Sequence, residues 1–436
     1  MTPRTHGKLR GICPLCKATD SALFPSPSRS RKRPCAGTAQ GRFRRWREAA
    51  KGVRFLVFSE RDVDVLRLLC WCQYVRREDL RSVATEAELA VLSVFGLIKL
   101  HESSGALVIT AQGRQVLDTI LCGKLPSIKQ PYHQSAIERR LRLSRLTLTA
   151  YRAGVNVFTT RVEELAASPT MFPSSITRDR GYNPWGSTRV AALLRLPELV
   201  ASLHYVAPGI GNIAFVDEIN VLVNQSARIK GAAKAFIFAG ESYADIIAEL
   251  RDCNHGEDAK KVRYGDAYRA STFPVHLLPC NDTGAKQLRI MSVSGYRQWF
   301  SKATLQSEYT PPPPGVPEWD AMFRDAPFVM AADMDLRRID RAVAAAKRRG
   351  FPAVSMAALE AQASDVLYPR YADTGKAKVF VLTPEMEGEL FGDRLALHAP
   401  EAAPYRNAKG EYINAPLIQA ARKSGRPAGK KARKLV

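Results

Sequence analysis

The sequence has no apolar run long enough to cross a membrane. Hydrophobic residues make up 46% of its 436 residues, yet no run approaches the roughly 20 apolar residues that a spanning helix needs. No hydrophobic segment follows the basic N-terminal residues, so a secretory signal peptide is not indicated. We therefore expect a cytoplasmic protein without a membrane partner.

Cysteine is also scarce. Eight cysteines in a chain of this length are too few for a disulfide framework, and in a reducing compartment they are free thiols or metal ligands. Cys13 and Cys16 form a Cys-x-x-Cys pair, which Cys35 and His6 would complete as a tetrahedral zinc site. No second such pair follows in this region, so two alternatives stay open: a zinc knuckle, or an extension without a fold.

Acidic residues are outnumbered, and the excess positive charge lies at the two ends of the chain. The sequence has 65 Lys and Arg against 42 Asp and Glu, a formal net charge of +23. Residues 1–58 hold fourteen Lys/Arg against two acids, and residues 406–436 hold nine against one, so the 347 residues between them carry only +3. A nearly neutral body between two cationic arms predicts a protein that holds a polyanion, and double-stranded DNA is the expected partner.

Composition and hydrophobic periodicity divide the chain into six segments. These are a disordered basic arm (1–58), a winged helix-turn-helix (59–125), an α/β domain (130–305), a Pro-rich linker (306–326), a strand–helix–strand unit (327–393) and a basic tail (394–436). The expected fold class is therefore a multidomain α+β or α/β protein with disordered basic termini.

The segment after the N-terminal arm has the local signals of a winged helix-turn-helix. The signals predict, in order, a helix over Glu60–Gln73 capped by Ser59, a helix over Arg77–Val83, a helix capped by Thr85 and ended by Gly96, a hairpin pairing Leu97–Leu100 with Ala106–Thr110, and a helix from Ala111. This order resembles winged-helix domains, in which the third helix enters the major groove.

The predicted third helix lacks the cations that a DNA-reading helix uses. Between Ser82 and Ile98 the sequence has no Lys or Arg and has two acids, Glu86 and Glu88, whereas phosphate contacts need cations. Either the domain docks on DNA through flanking cations, or it is a protein-interaction module. The candidate flanking cations are Arg76, Arg77, Arg81, Lys99 and Arg114.

The layout of the chain resembles a known family. A winged helix precedes an arginine-rich helix over Ser135–Arg152 and then an α/β region, which is similar to the replication-relaxation proteins of plasmids and integrative elements in Gram-positive bacteria. The resemblance is architectural and covers about residues 59–305. It implies a non-enzymatic, nucleoid- or plasmid-associated accessory protein of a mobile genetic element. Such a protein would act in plasmid replication control, relaxation or conjugative transfer, with a relaxase or replication initiator as partner.

The arms carry candidate DNA contacts of their own. The segment KSGRPAGKK at residues 423–431 resembles an AT-hook, in which Arg426 would enter an A·T-rich minor groove beside Lys430 and Lys431. The alternative is a basic tail that binds phosphates without preference, and both predict an affinity that falls with salt. The N-terminal arm contributes Arg42, Arg44, Arg45 and Arg47.

Three predicted strands suggest a nuclease-like core. Residues 189–194, 199–206 and 213–223 have strand-like patterns, and the third contains Glu218. The order resembles a restriction-endonuclease-like core, whose active members place a lysine two residues after the acid to stabilise developing charge. Asn220 stands at that position. We therefore expect a degenerate, inactive core with Glu218 as an exposed carboxylate on a strand face.

A second group of acids suggests a magnesium site. Glu241 follows a predicted strand at 235–239, and Asp333 and Asp335 follow another at 328–332. This is similar to the Toprim arrangement of topoisomerases and primases, in which three acids bind Mg²⁺, and it makes a Mg²⁺-dependent DNA-cleaving enzyme the alternative function. Helix capping by the aspartates explains the same pattern without a metal, and the sequence favours capping.

Overall fold

A computed structural model describes residues 55–178, 183–209, 212–227, 229–253, 261–407, 410–412 and 414–416. The predicted zinc ligands and the predicted DNA contacts of the arms lie outside these residues and stay predictions. They are His6, Cys13, Cys16, Cys35, Arg42, Arg44, Arg45, Arg47, Arg426, Lys430 and Lys431. The described residues all belong to the compact unit that begins at Gly52.

The architecture is mixed α and β. The strands are β1 (Phe55–Val57), β2 (Ile98–Leu100), β3 (Leu107–Ile109), β4 (Thr170–Pro173), β5 (Ala192–Arg195), β6 (Leu199–Tyr205), β7 (Ala233–Gly240), β8 (Val275–Pro279), β9 (Ala321–Phe323), β10 (Ala326–Met330), β11 (Val354–Leu359), β12 (Ala377–Leu382) and β13 (Asn414–Pro416). The helices are α1 (Glu60–Cys72), α2 (Arg77–Leu80), α3 (Glu86–Val94), α4 (Ala111–Ile120), α5 (Gln134–Arg152), α6 (Ser175–Arg178), α7 (Phe215–Ser226), α8 (Tyr243–Arg251), α9 (Tyr264–Ala270), α10 (Asp282–Met291), α11 (Tyr296–Leu305), α12 (Leu336–Arg348), α13 (Glu360–Gln362) and α14 (Pro384–Phe391). Within the described chain, no helix has both the length and the apolar character that crossing a bilayer requires.

The helix–hairpin segment, residues 60–120, follows the predicted order of elements. Ser59 accepts a hydrogen bond from the Asp62 amide at the start of α1, and Thr85 accepts one from the Glu88 amide at the start of α3, each within a capping box. Gly96 follows α3 with a φ of +69°, a left-handed conformation that glycine adopts without a steric penalty. β2 and β3 pair antiparallel, so the predicted hairpin is confirmed.

The larger sheet, which we call the central sheet, has the strand order β4-β5-β6-β7-β8. β4, β5 and β6 pair antiparallel, whereas β6, β7 and β8 pair parallel. β6 and β8 are buried along their whole length, because helices cover both faces of the parallel part of a sheet. The parallel strands are joined through α7, and through α8 and α9.

A second sheet has the order β12-β11-β10-β9 and includes part of the predicted Pro-rich linker. Residues 321–323 form β9, which pairs antiparallel with β10. Val316 and Trp319 are buried, and the Trp319 indole packs edge-on against Phe351 with ring centroids 5.5 Å apart. The linker expectation is wrong for these residues because the apolar side chains between the prolines are taken into the core.

The two sheets meet at a buried polar network centred on Asp333. The Leu277 amide of β8 donates to the Met334 carbonyl at 3.2 Å, and the His276 ring bonds the Asp333 carbonyl at 2.8 Å. The Asp333 carboxylate accepts hydrogen bonds from Arg297 at 2.7 and 2.9 Å and from Arg338 at 3.3 Å. Burial alone would raise the pKa of Asp333, but attraction to the two guanidinium groups outweighs burial and holds the pKa well below its usual range.

The guanidinium of Arg338 is the shared partner of this network. It is buried, bonds Asp320 at 2.8 Å as well as Asp333, and donates to the Met330 carbonyl. Replacing Arg338 by Met is expected to destabilise the protein by about 3–5 kcal/mol, because Asp320 loses its cation and the buried Asp333 keeps only Arg297. Urea unfolding measures the difference. Arg341→Met, an exposed change on the same helix, is the matched control, and equal stability of the two variants would contradict the network's role.

Candidate nucleic-acid interface

Helix α5 joins the helix–hairpin segment to the central sheet. Its apolar residues Ile137 and Leu141 form a cluster with Tyr74, Ala106 and Val108 of the helix–hairpin segment. Along its length, α5 also packs on α1, α10 and β6. The helix therefore fixes the position of the hairpin relative to the sheet.

An arginine in the middle of α5 strengthens this connection. The Arg145 Nε lies 3.3 Å from the Asp79 carboxylate in α2, and the other end of its guanidinium pairs with Glu241, directly after β7. The Arg145 and Asp79 side chains are both largely buried, which makes their attraction stronger than that of an exposed pair. One side chain thus connects three parts of the fold.

The acids of the magnesium hypothesis have other partners in this structure. Glu241 pairs with Arg145, and Asp333 is enclosed by Arg297 and Arg338. Asp335 is the N-cap of α12, where its carboxylate accepts from the Arg338 amide at 3.1 Å, so capping is confirmed for Asp335 but not for Asp333. Among the described residues, no group of three or more His, Cys, Asp and Glu side chains converges as a metal site would require.

A strongly basic cavity lies against α5, and we call it the basic cleft. It has a volume of about 660 Å³ and lies between the N-terminal half of α5 and the residues that precede β5. Its charged lining residues are Lys129, Arg139, Arg140, Arg142, Arg178 and Arg189, with Glu138 as the carboxylate among its described lining residues. Low-dielectric walls with one sign of charge focus the field and attract anions.

A second cavity of about 460 Å³ adjoins the basic cleft. The two share Glu138, Arg142 and Tyr205 as lining residues. The second cavity extends to Ser103 and Ser104 in the hairpin turn. Together the cavities connect the central sheet, α5 and the hairpin along one face.

Arg178 is held rigidly at the wall of the basic cleft. Its guanidinium donates to the Thr188 carbonyl at 3.1 Å, the Val190 carbonyl at 2.8 Å and the Ser174 hydroxyl at 3.1 Å. Burial lowers the pKa of Arg178 to about 10, so the group stays charged at neutral pH. A fixed planar guanidinium loses little freedom when it binds a phosphate.

Two other cations of the basic cleft are available for a ligand. The side chains of Lys129 and Arg142 form no hydrogen bond or ion pair with the described part of the chain. Cations that lack a protein partner can neutralise phosphates without first breaking an ion pair.

The acids of α3 are matched by neighbouring arginines. Arg77 and Arg81 both pair with Glu86, the latter at 2.6 Å, and Arg61 pairs with Glu88 at 2.9 Å. Two of the predicted flanking cations, Arg77 and Arg81, are therefore used within the helix–hairpin segment itself.

The other predicted flanking cations lie apart from one another. Arg114 donates to the Pro126 carbonyl, Lys99 is exposed on β2, and Arg76 lines the second cavity. Of the five, Arg76 lines the second cavity, and none is among the lining residues of the basic cleft. The arginines of the basic cleft were not among the predicted DNA contacts. The arginine-rich pattern of α5 could have indicated Arg139 and Arg142, but no sequence signal placed Arg178 and Arg189 beside them.

The third predicted strand of the nuclease-like core is wrong, because residues 215–226 form helix α7. β-branched residues in this stretch favour a strand, but Glu218, Leu222 and Ser226 are buried at a four-residue spacing that matches one helical face. Glu218 is fully buried, so its predicted exposure on a strand face is also wrong. The endonuclease-like resemblance loses the element on which it depended.

Glu218 lies behind the wall of the basic cleft. One oxygen accepts from the Arg189 amide at 2.6 Å, and the other lies 3.9 Å from Nδ1 of the buried His204. Burial raises the pKa of Glu218 to about 7 and lowers that of His204 to about 3. Glu218 therefore positions the backbone that precedes β5 and changes charge near neutral pH.

Replacing Glu218 by Gln is expected to remove a pH-dependent loss of stability. The folded-state pKa of about 7 lies above the reference value of 4.5, so the folded protein holds the proton more tightly and loses stability as pH rises from 4.5 through 7. The advantage of Glu218→Gln over wild type should grow across this window, by at most about 3 kcal/mol. Urea unfolding of both proteins between pH 5 and pH 8 measures it.

The difference in the free energy of unfolding between Glu218→Gln and wild type reports the contribution of Glu218 alone. His204, whose pKa is lowered, gives stability the opposite slope below pH 6.5 in both proteins, and Arg178 and Arg189 face Glu218 in both. Glu198→Gln, an exposed change between β5 and β6, is the control and should show no such trend. If the free energies of unfolding of Glu218→Gln and wild type differ by the same amount from pH 5 to pH 8, the raised pKa of Glu218 is contradicted.

Comparison with protein-family models, with curated proteins and with solved structures finds no match to this chain. The resemblance to replication-relaxation proteins therefore stays a prediction. The functional inference depends on the residues and geometry of the basic cleft.

Proposed function

We propose that this protein is a DNA-binding accessory protein that holds nucleic acid in the basic cleft. The observation that supports this most directly is the lining of the cleft, where six Lys and Arg side chains from separate parts of the chain meet one glutamate. Gathering like charges costs energy unless an anionic ligand neutralises them. Phosphates in a nucleic-acid backbone are spaced to meet several such cations at once.

The helix–hairpin segment fits this proposal as a winged helix whose third helix, α3, carries acids instead of the usual cations. The surface of α3 offers paired acids rather than free cations, so we infer that α3 does not supply the main phosphate contacts. The hairpin turn instead reaches the second cavity through Ser103 and Ser104. In this arrangement the wing and α5 contact the nucleic acid, and short hydroxyl side chains bond phosphate oxygens.

The terminal regions add a sequence-independent attraction. Twenty-three Lys and Arg lie in residues 1–58 and 406–436, so affinity for any duplex should be high at low salt and fall steeply as salt is added. The role in a mobile genetic element, with a relaxase or replication initiator as partner, is part of the proposal and is supported by the architectural resemblance.

Removing three cleft cations tests the proposal. The triple variant Lys129→Ala, Arg142→Ala and Arg189→Ala of the full chain is expected to bind a tailed duplex at least tenfold more weakly at about 0.1 M salt. Each lost phosphate contact should also reduce the slope of log affinity against log salt by about one. Fluorescence anisotropy across a salt series gives both quantities.

The matched control removes the same charge from another face. Arg341, Lys347 and Arg348 are exposed on α12, and their replacement by Ala should change affinity only slightly. If both triple variants lose affinity equally, attraction is general and the cleft is not the binding site. If the wild-type chain binds no DNA at low salt, the proposed function is wrong.

A further inference from the structure

The size of the basic cleft limits which form of nucleic acid can enter it. A volume of about 660 Å³ is typical of a site for a small organic ligand. It can admit a nucleotide, but not the body of a duplex whose major groove alone is about 12 Å wide. A duplex can therefore lie across the mouth of the cleft, whereas an unpaired strand can enter it.

An aromatic side chain lies among the cations of the cleft. Tyr132 lines the cleft immediately before α5 and is 74% exposed, although burial of an aromatic ring normally stabilises the fold. Its ring lies 4.3 Å from that of His133, measured between centroids, so two adjacent rings face the ligand space. Exposed rings beside a cationic groove are the platform on which single-stranded bases stack.

Two other lining residues of the basic cleft carry hydrogen-bond donors. The Arg178 guanidinium is fixed by backbone carbonyls at 2.8 and 3.1 Å. Tyr264 also lines the cleft, is almost completely buried, and its hydroxyl has no hydrogen-bond partner among the described residues. Buried polar groups are normally paired, so this unpaired hydroxyl is an unusual feature of the residues around the cleft.

We propose that the basic cleft binds an unpaired nucleotide of single-stranded DNA, with its base stacked on Tyr132 and its phosphates against Arg142 and Arg178. This inference depends on the proposed function, because it specifies the form of DNA that the same cleft selects. A base inside a duplex has both faces covered by its neighbours, so stacking on Tyr132 requires a base that is unstacked.

Replacing Tyr132 by Ala in the full chain tests the inference. Affinity for a fluorescently labelled single strand should fall about tenfold, the size expected for one stacked base, while affinity for the blunt duplex of the same sequence should change less than about twofold. Tyr132→Phe keeps the ring and should bind both like wild type. Because Tyr132 is exposed, both variants should fold, which the thermal unfolding midpoint checks.

A free deoxynucleoside monophosphate serves as a competitor that distinguishes a strand from a small-molecule ligand. It should displace the single strand only at concentrations far above that of the strand, because it reaches fewer cations. Displacement at a concentration equal to that of the strand would show that the cleft is a site for free nucleotides. It would overturn the proposal that the cleft binds single-stranded DNA.

The remaining outcomes separate this inference from the proposed function. If Tyr132→Ala weakens single-stranded and duplex binding equally, or weakens neither, the cleft does not select an unpaired base, and DNA binding by the protein still stands. If the wild-type chain binds duplex but not the single strand, the inference also fails. If it binds neither, the proposed function fails with it.

Discussion

The candidate site depends on the double ion pair of Arg145. One guanidinium joins α2, through Asp79, to the end of β7, through Glu241. The apolar contacts of Ile137 and Leu141 hold the same helix against the hairpin. Without this connection the hairpin and the central sheet would have no fixed distance, and the second cavity, which Arg145 and Glu241 line, would have no defined width. Arg145 is thus structural, while Arg142, one turn earlier, is available to a ligand.

Ion pairing distinguishes the charged side chains that stabilise the fold from those that we propose bind a ligand. The acids of α3 are matched by Arg61, Arg77 and Arg81, and the buried Asp333 by two further arginines. Lys129 and Arg142 have no such partner in the described chain. Since buried charges need partners and exposed phosphate-binding charges need none, the unpaired cations support the proposed binding face more directly than the total charge does.

Glu218 links the chemistry of the core to the cleft. It holds the Arg189 amide, and it lies close enough to Arg178 to affect the pKa of that arginine. The sequence suggested a catalytic or exposed acid, but the structure gives a fully buried carboxyl whose pKa is raised by burial. Its role is therefore to position the cleft wall.

The sequence by itself determined several local elements, and it predicts a partner class that the structure does not test. Charge at the two ends indicated a polyanion, and the caps Ser59 and Thr85 with Gly96 defined α1, α3 and the hairpin, because caps and periodicity act within a few residues. Tertiary structure alone decided that residues 215–226 are helical, that Trp319 belongs to a core, and that Arg178 meets Arg142. Those outcomes depend on burial against residues distant in the chain, which overrides local propensity.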